Sequence, residues 1–382
     1  MAGDVSDLLW RLPGPAAFVD EIVDDVRQGV SVVLCLPEYA APGLREAVGE
    51  KVRAREICKQ ATVDQAAMEA GIPPPQVLRQ AIHGPSAEKG DGARELATDR
   101  SLRDWLIWVE GVGQSQWPAW KRFLEEFEAA SRAASDCNGL RVVVVARGSL
   151  ANSPPRAEVR LAVRKWQGVV EPLDMLLLVY WLMRDADASP LRRRLQISLI
   201  AELAGTDPLL AETLCRCDLP ALINPLDALR GFAQRRSWGA PLPTDRSELW
   251  AGGMADMIHG RQFRHSAALA VSQGHDHDEL DRRIWRAQIQ VLFPFVEEQR
   301  ASLVKDLTTA DCLRLPWVTP FGRIEDPLDL EINHLCRMVS HVKRVPPAKR
   351  ELIRVLVEVR NSLAHLEKVP EELLLRLAPA DV

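Results

Sequence analysis

The distribution of apolar positions changes after about residue 165. Before that point, short apolar runs alternate with helical stretches. The runs are Val30 to Leu36, Arg53 to Thr62, Leu102 to Val109, Arg141 to Ala146 and Glu158 to Lys165. Strands that alternate with helices predict a parallel sheet that is covered on both faces. We therefore expect an α/β domain over residues 1–166.

Helical spacing dominates the rest of the chain. Glu171 to Trp238 divides into short helical pieces, each of which begins near Pro, Asp or Ser. The Pro-rich segment Gly239 to Glu248 then predicts a linker. The longest apolar run, Leu173 to Met183, is too short to span a bilayer. This pattern predicts an all-helical middle domain over residues 167–245.

A helical bundle is expected after the linker. The segments with helical periodicity are Asp281 to Leu303, Leu328 to Val342, Pro347 to Ala364 and Glu371 to Leu377. In the third segment, apolar residues recur at steps of four, three and four, which is typical of a buried helix face. These residues are Leu352, Leu356, Val359 and Leu363. Four helices around one core form a bundle, so residues 246–382 are predicted to be a third, all-α domain.

The third helix of that bundle ends in the string RNSLAH, from Arg360 to His365. Arg360 supplies a permanent cation for phosphate oxygens, and His365 is a group that titrates near neutrality. This pairing suits RNA cleavage without a metal. The string resembles the Arg-x4-His signature, commonly written with Asn after the Arg, of the HEPN superfamily of helical domains. The resemblance extends over roughly the last 100 to 130 residues.

The HEPN resemblance implies a component of a bacterial defence or toxin-type system. In its catalytic members the site forms across a dimer, and Arg360, Asn361 and His365 would be the catalytic residues here. On an ideal helix Asn361 and His365 share a face, whereas Arg360 lies about 140° from His365. Other members are non-enzymatic scaffolds or regulatory subunits in which such residues bond neighbouring helices. Both interpretations stay open at this point.

The α/β segment resembles the P-loop NTPase core of the AAA or STAND type in the order and spacing of its predicted elements. A working phosphate loop needs glycines, a Lys and a Ser or Thr. The loop after the first strand instead reads LPEYAAPGL, from Leu36 to Leu44. Glu38 would repel phosphate, and two prolines remove N–H donors. Glu110 stands where the resemblance implies an acidic residue. We therefore expect a degenerate site with no cofactor and no ATPase activity, or else an unrelated α/β domain.

Composition and charge limit the function further. The 382 residues are 47% hydrophobic and 26% charged, which is typical of a globular chain. Seven scattered cysteines and an acidic start predict a cytoplasmic protein without a signal peptide. A net charge of −5 argues against broad nonspecific binding of nucleic acid. The basic residues that lead into the string are the predicted RNA-binding set, and they are Lys343, Arg344, Lys349 and Arg350.

A cluster of histidines and aspartates invites a metal interpretation, which we reject. The cluster comprises His259, His265, His275 and His277 with Asp276 and Asp278. The two aspartates precede a predicted helix, where they are expected to cap its N-terminus. No metal is therefore expected. The expected partners are other subunits of a complex, RNA, and a second copy through the C-terminal bundle, with no membrane.

Overall fold

The computed structural model describes residues 5–63, 68, 71–85, 92–134, 139–272, 276–320 and 322–377. The chain forms two compact units. We call the first the α/β unit; it comprises Met1–Asp174, Thr206–Leu209 and Pro241–His265. We call the second the helical unit; it comprises Met175–Gly205, Leu210–Ala240 and Ser266–Val382. The predicted boundaries after residues 166 and 245 stay a prediction, since compactness alone does not define domains.

A five-stranded parallel sheet forms the centre of the α/β unit. Its strands are β1 (Ser31–Leu36), β2 (Lys59–Thr62), β3 (Trp105–Val109), β4 (Arg141–Arg147) and β5 (Leu161–Lys165). Their order across the sheet is β2-β3-β4-β1-β5. The predicted α/β class and parallel sheet are thus confirmed, and each strand lies within or next to a predicted apolar run.

Strand β1 shows why a continuous apolar run is found here. It lies between β4 and β5, and all six of its residues are buried. Successive side chains of a strand point to opposite faces of the sheet, so Val32 and Val33 lie on different faces. Both are fully buried, which shows that both faces are covered at β1. A central strand covered on both faces requires such a run.

Helices of the first part of the chain cover the sheet. They are α1 (Val5–Leu9), α2 (Pro13–Arg27), α3 (Leu44–Ala54), α4 (Pro74–His83), α5 (Ala93–Thr98) and α6 (Trp117–Ala134). Helix α6 contributes Trp117, Trp120 and Phe123 to the core that also contains Val33 of β1 and Val144 of β4. Burying these large apolar side chains contributes about 1.5–3 kcal/mol each.

The next part of the chain is helical, as predicted. Its helices are α7 (Pro172–Leu182), α8 (Pro190–Ala204), α9 (Pro208–Leu214), α10 (Leu219–Ile223) and α11 (Leu226–Arg235). Helix α8 begins with a proline at its N-terminus and ends before Gly205, as sequence signals for helix ends suggest.

Residues 241–265 return to the α/β unit. They form helix α12 (Arg246–Ala251) and an antiparallel hairpin of β6 (Ala255–Ile258) and β7 (Arg261–Arg264). The hairpin turn places His259 and Gly260 at φ values of 48° and 75°. Two positive φ values define a type I′ turn, for which Asn-Gly is the usual signal. The hairpin was missed because His-Gly gives only half of that signal.

The remaining helices belong to the helical unit. They are α13 (Ser266–Val271), α14 (Asp276–Thr309), α15 (Ile332–Val339), α16 (Pro347–Ala364) and α17 (Glu371–Leu377). Helices α16 and α17 have the predicted bounds, α14 is longer than predicted, and α15 is shorter. A hairpin of β8 (Trp317–Thr319) and β9 (Gly322–Ile324), which the sequence did not predict, separates α14 from α15.

Polar side chains fix the helical unit where its helices meet. Gln288 of α14 is fully buried, and its amide bonds both the carbonyl and the N–H of Val369, at 2.8 and 2.7 Å. This pair of bonds satisfies the buried backbone between α16 and α17. Within the part of the chain that the structure describes, no helix has the length and apolar character required to cross a membrane.

Candidate functional site

The C-terminal end of α16 carries the RNSLAH string. Its last turn closes through bonds from Glu367 N–H to the carbonyl of Ser362, 2.9 Å, and from Leu366 N–H to the carbonyl of Leu363, 3.3 Å. Leu366 adopts a left-handed φ of 62°. This arrangement is a Schellman motif, with His365 as the C-cap residue. The imidazole of His365 therefore belongs to an exposed helix end.

Packing fixes the position of that helix end. Three residues of the predicted stripe, Leu356, Val359 and Leu363, are buried, whereas the fourth, Leu352, is only partly buried. In addition, the indole Nε1 of Trp285 donates to the carbonyl of Leu363 at 2.9 Å. This carbonyl lies in the last turn of α16 and also accepts the N–H of Leu366, so the indole is its second donor. Helix α14 thus anchors the backbone of the string.

Arg360 lies next to the beginning of α15. Its Nη2 atom is 3.6 Å from the carboxylate of Glu331, the N-cap residue of α15, and its side chain is 35% exposed. The backbone N–H of Glu331 donates to Nδ1 of His334 at 3.1 Å. Arg360 is therefore already opposed by a carboxylate, and an anionic ligand would compete with Glu331 for it.

The string does not converge on one point within a single chain. Residues 360 and 365 of a helix differ by about 140° in direction and about 7.5 Å along the axis. Because α16 is helical to Ala364, these values apply to Arg360 and His365. Asn361 and His365 share a face, as predicted. Arg360 is directed towards Glu331 instead, so the helix brings only two of the three predicted catalytic residues together.

The predicted RNA-binding residues lie at the opposite end of α16. Lys343 and Arg344 are exposed residues that precede the helix, and Lys349 and Arg350 belong to its first turns. Lys349 is 2.7 Å from the carboxylate of Asp306. Ten residues of helix separate Arg350 from Arg360, or about 15 Å. The four basic residues are near one another but do not surround the string.

The loop after β1 corresponds in position to a phosphate loop. Here, other parts of the protein hydrogen-bond to the loop. The Nε1 atom of Trp10 donates to the carbonyl of Pro42 at 3.0 Å. The N–H of Glu38 donates to the carbonyl of Ala251 at 2.7 Å. Gly43 has a φ of 90°, and a Cβ atom there would approach Trp10 to 2.8 Å. These contacts hold the loop in a defined conformation, although it lacks the Lys and the Ser or Thr of a phosphate loop.

A cavity of about 340 Å³ opens at the carboxyl edge of the sheet. Its lining residues lie at or after the carboxyl ends of β1, β3 and β4, and they are Glu38, Glu110, Gly111, Val112, Gln114, Val145, Arg147, Ser149 and Leu150. The chain runs from β1 to β2 at one edge of the sheet and from β4 to β5 at the other edge. Because the neighbouring strands β1 and β4 connect in opposite directions, the space between their carboxyl ends is a topological switch point. Ligands of open α/β sheets usually bind at such a point. Glu38 and Glu110 were singled out from the sequence, whereas Arg147 and Ser149 were not.

Three charged side chains line this cavity. One carboxylate oxygen of Glu110 accepts from Nε1 of Trp108 at 2.8 Å. Arg147 donates from Nη1 to the backbone carbonyl of Glu38 at 3.4 Å. In the described part of the chain, none of Glu38, Glu110 and Arg147 belongs to an ion pair within 4.0 Å. The nearby Arg45 interacts electrostatically with Glu110, although its own carboxylate partner is Glu46, whose hydrogen bond is the main reason that the pKa of Arg45 is raised.

The described histidines of the cluster lie in different elements of the structure. Nε2 of the buried His265 lies 3.0 Å from the carboxylate of Asp207. His259 occupies the β6–β7 turn, and α14 begins at Asp276. Among the described residues, which leave out His275, there is no group of three or more His, Cys, Asp or Glu residues that could hold a metal ion.

Helix α7 has an unusual surface for its position. It corresponds to the longest apolar run of the chain and is apolar on most sides. Met175, Leu178 and Val179 are buried, whereas Tyr180 and Trp181 are 56% and 50% exposed. Leu176 is also exposed. We call Leu176, Tyr180 and Trp181 the α7 patch.

Basic residues adjoin the α7 patch. The guanidinium of Arg193 lies over the ring of Tyr180, with its carbon 5.8 Å from the ring centre. Arg192 and Arg194 are exposed, and neither belongs to an ion pair among the described residues. Arg193 therefore gives the α7 patch a basic border, and Arg192 and Arg194 flank Arg193 in sequence.

No family model matches the chain, and no curated protein matches its sequence.

Proposed function

We propose that this chain is a non-enzymatic binding or regulatory subunit of a larger assembly and that the α7 patch contacts another polypeptide. The observation that carries the proposal is the exposed apolar side of α7. A helix that is apolar on most sides is normally buried. Exposed apolar clusters on monomers commonly mark interaction surfaces.

Energy and charge indicate the kind of partner. Complete burial of a large apolar side chain contributes about 1.5–3 kcal/mol, so the three half-exposed residues of the α7 patch could add about 3 kcal/mol to an interface. Its basic border at Arg193 favours an acidic group beside an apolar centre. A second copy of the chain would bring two basic borders together. We therefore assign a different polypeptide to this surface.

Crosslinking tests the proposed surface in the cells that naturally express the chain. A photo-crosslinking residue at Trp181 should yield one discrete adduct with a different polypeptide. The matched control is the same residue at Leu375, which is 60% exposed on α17 and should yield no such adduct. Tyr180→Glu should abolish the adduct from position 181. An adduct with the mass of two copies, or equal adducts from both positions, would overturn the assignment.

The resemblance of the string to HEPN domains supports a defence or toxin-type system as the setting. The proposal also requires that the α/β unit does not hydrolyse nucleotide. The loop from Leu36 to Leu44 lacks the groups that bind phosphate and magnesium. We expect no ATP or GTP hydrolysis above background. Hydrolysis that disappears on Glu110→Gln would contradict this part of the proposal.

A second function, metal-independent RNA cleavage, is favoured by one observation. Asn361 and His365 share a face at an exposed helix end, where another chain could approach. Arg360 of that second chain would then supply the cation that stabilises the phosphorane-like transition state, while His365 moves the proton. This proposal needs a dimer, because one chain does not bring Arg360 and His365 together.

Mixing two variants tests the shared site. Arg360→Ala and His365→Ala should each be inactive in RNA cleavage, and a mixture that forms heterodimers should recover part of the wild-type rate. EDTA should leave that rate unchanged, because the mechanism uses no metal. An inactive mixture in which heterodimers are present would reject the shared site.

A further inference from the structure

The carboxyl edge of the sheet combines a cavity with charges of both signs. Glu38 and Glu110 follow β1 and β3, Arg147 is the last residue of β4, and all three line the cavity of about 340 Å³. This volume falls in the usual range for small-molecule sites, roughly 300–1,000 Å³. Since the three side chains do not pair with one another, each can interact with a ligand.

The two carboxylates are held in place. An indole N–H donor of Trp108 orients the carboxylate of Glu110. Glu38 packs against Gly148, where a Cβ atom would collide with its carboxylate. Gly148 also has a φ of 60°, which disfavours other residues. Its lack of a side chain therefore leaves room for the Glu38 carboxylate. Groups that are fixed before binding lose less conformational entropy when a ligand arrives.

Arg147 provides the opposite charge. Its guanidinium has the backbone carbonyl of Glu38 as a neighbour, at 3.4 Å, which is a long hydrogen bond. Ser149, two residues further on, adds an exposed hydroxyl to the same lining. A guanidinium and a hydroxyl are suitable donors for a carboxylate. The cavity thus has an acidic side at Glu38 and Glu110, and a donor side at Arg147 and Ser149.

We propose that this cavity binds a small zwitterion that carries an ammonium group and a carboxylate, the chemistry of a free amino acid. The ammonium group contacts Glu38 and Glu110, and the carboxylate contacts Arg147 and Ser149. A simple anion would gain one partner and meet two repulsive carboxylates. A simple cation would leave the guanidinium without a partner. This site is independent of the α7 patch and of the RNSLAH string.

Calorimetry and thermal melts with the full chain test the proposal. The probes are the twenty common L-amino acids, each at a saturating concentration. At least one should bind and raise the melting temperature, because a ligand that binds only the folded state stabilises it. The N-acetyl form of that amino acid lacks the ammonium group and its amide form lacks the carboxylate. Each should bind about 10- to 100-fold more weakly, since each loses a charged hydrogen bond.

Variants identify the site. Glu110→Gln and Arg147→Met should weaken binding by about 10- to 100-fold. The matched controls are Glu126→Gln and Arg122→Met, which alter exposed residues of α6 outside the cavity and should leave the affinity unchanged. Should Arg147→Met not fold, Ser149→Ala provides a milder change with a smaller loss. Absence of binding by all twenty amino acids would overturn the proposal. So would equal binding of the N-acetyl form, or binding of ATP alone that Arg147→Met abolishes.

Discussion

The cavity at the sheet edge and the end of α16 assemble their polar groups in opposite ways. Glu38, Glu110 and Arg147 are far apart in sequence, yet parallel strands end at the same edge and bring them to one cavity. Arg360 and His365 are close in sequence, yet the helical period directs them apart. Proximity along the chain is thus a poor guide to a shared site on a helix. Position after a parallel strand is a better one.

The largest expected effect tests the packing that holds the α16 end. Leu356 is fully buried, so Leu356→Ala should lower the free energy of unfolding by about 2–5 kcal/mol. Arg354→Ala, which alters an exposed residue of the same helix, should change it by less than about 0.5 kcal/mol. Urea unfolding of both variants measures the difference. Equal values for the two would show that the buried face of α16 is wrongly assigned.

A pH-dependent effect on stability is expected at Asp256, whose carboxyl group hydrogen-bonds to residues from distant parts of the α/β unit. Burial raises the pKa of Asp256 from 3.8 to about 6, although the N–H groups of Met257 and Gly168 and the hydroxyl of Thr206 oppose the shift. A raised pKa in the folded state contributes stability below pH 4 that is lost as the pH rises through about 6. The change amounts to about 2–3 kcal/mol.

Comparison with Asp256→Asn over pH 4 to 7 isolates that contribution. The free energy of unfolding of the wild type relative to the variant should fall as the pH rises. Asp245→Asn is the control. The Ser247 hydroxyl, followed by the N–H groups of Glu248 and Ser247, lowers the pKa of Asp245 below 3.8, so its contribution is lost only below this pH range and the difference between the wild type and this variant should stay nearly constant from pH 4 to 7. Parallel pH curves for the wild type and Asp256→Asn would contradict the burial of an ionisable carboxyl group.

A smaller effect is expected at the sheet edge. Gly148→Ala introduces a side chain at a φ of 60° and against the carboxylate of Glu38. We expect a loss of about 1–2 kcal/mol in the free energy of unfolding. Gly231→Ala is the matched control, because Gly231 lies within α11 and has no atoms in the way of a Cβ. It should stabilise the protein by about 0.5–1 kcal/mol. Equal stability of Gly148→Ala and Gly231→Ala would contradict the inference that the lack of a side chain at Gly148 leaves room for the Glu38 carboxylate.

The smallest effect is expected at the C-terminal end of α16. Leu366 adopts a left-handed φ of 62° in the Schellman motif and is 69% exposed. Leu366→Gly should therefore stabilise the protein by about 1 kcal/mol. Leu375→Gly makes the same change at an exposed position within α17 and should cost about as much. Thermal melts of both variants give the signs. Destabilisation by Leu366→Gly would mean that the leucine side chain supports the helix end.

The sequence predicted those elements whose pattern is local. The parallel sheet followed from apolar runs such as Val30 to Leu36, and the bounds of α16 and α17 followed from periodicity and Pro347. The β6–β7 hairpin was missed because its His-Gly turn is a weak signal. Arg147 was missed because its role depends on strand order, which no local pattern reveals. The contact of Arg360 with Glu331 likewise depends on how α15 packs on α16.

RNA cleavage by the purified chain tests most directly the claim that the string is not a catalytic centre. The variants are Arg360→Ala and His365→Ala, with Arg354→Ala and His341→Ala as exposed controls, and thermal melts accompany each assay. We expect the same background-level cleavage of total RNA for all five proteins. Because the Arg360–Glu331 pair is largely exposed, we expect Arg360→Ala to lower the melting temperature only slightly. Cleavage by the wild type and both controls that falls by about 10²- to 10⁴-fold in Arg360→Ala and His365→Ala, with unchanged melting temperatures, would contradict it.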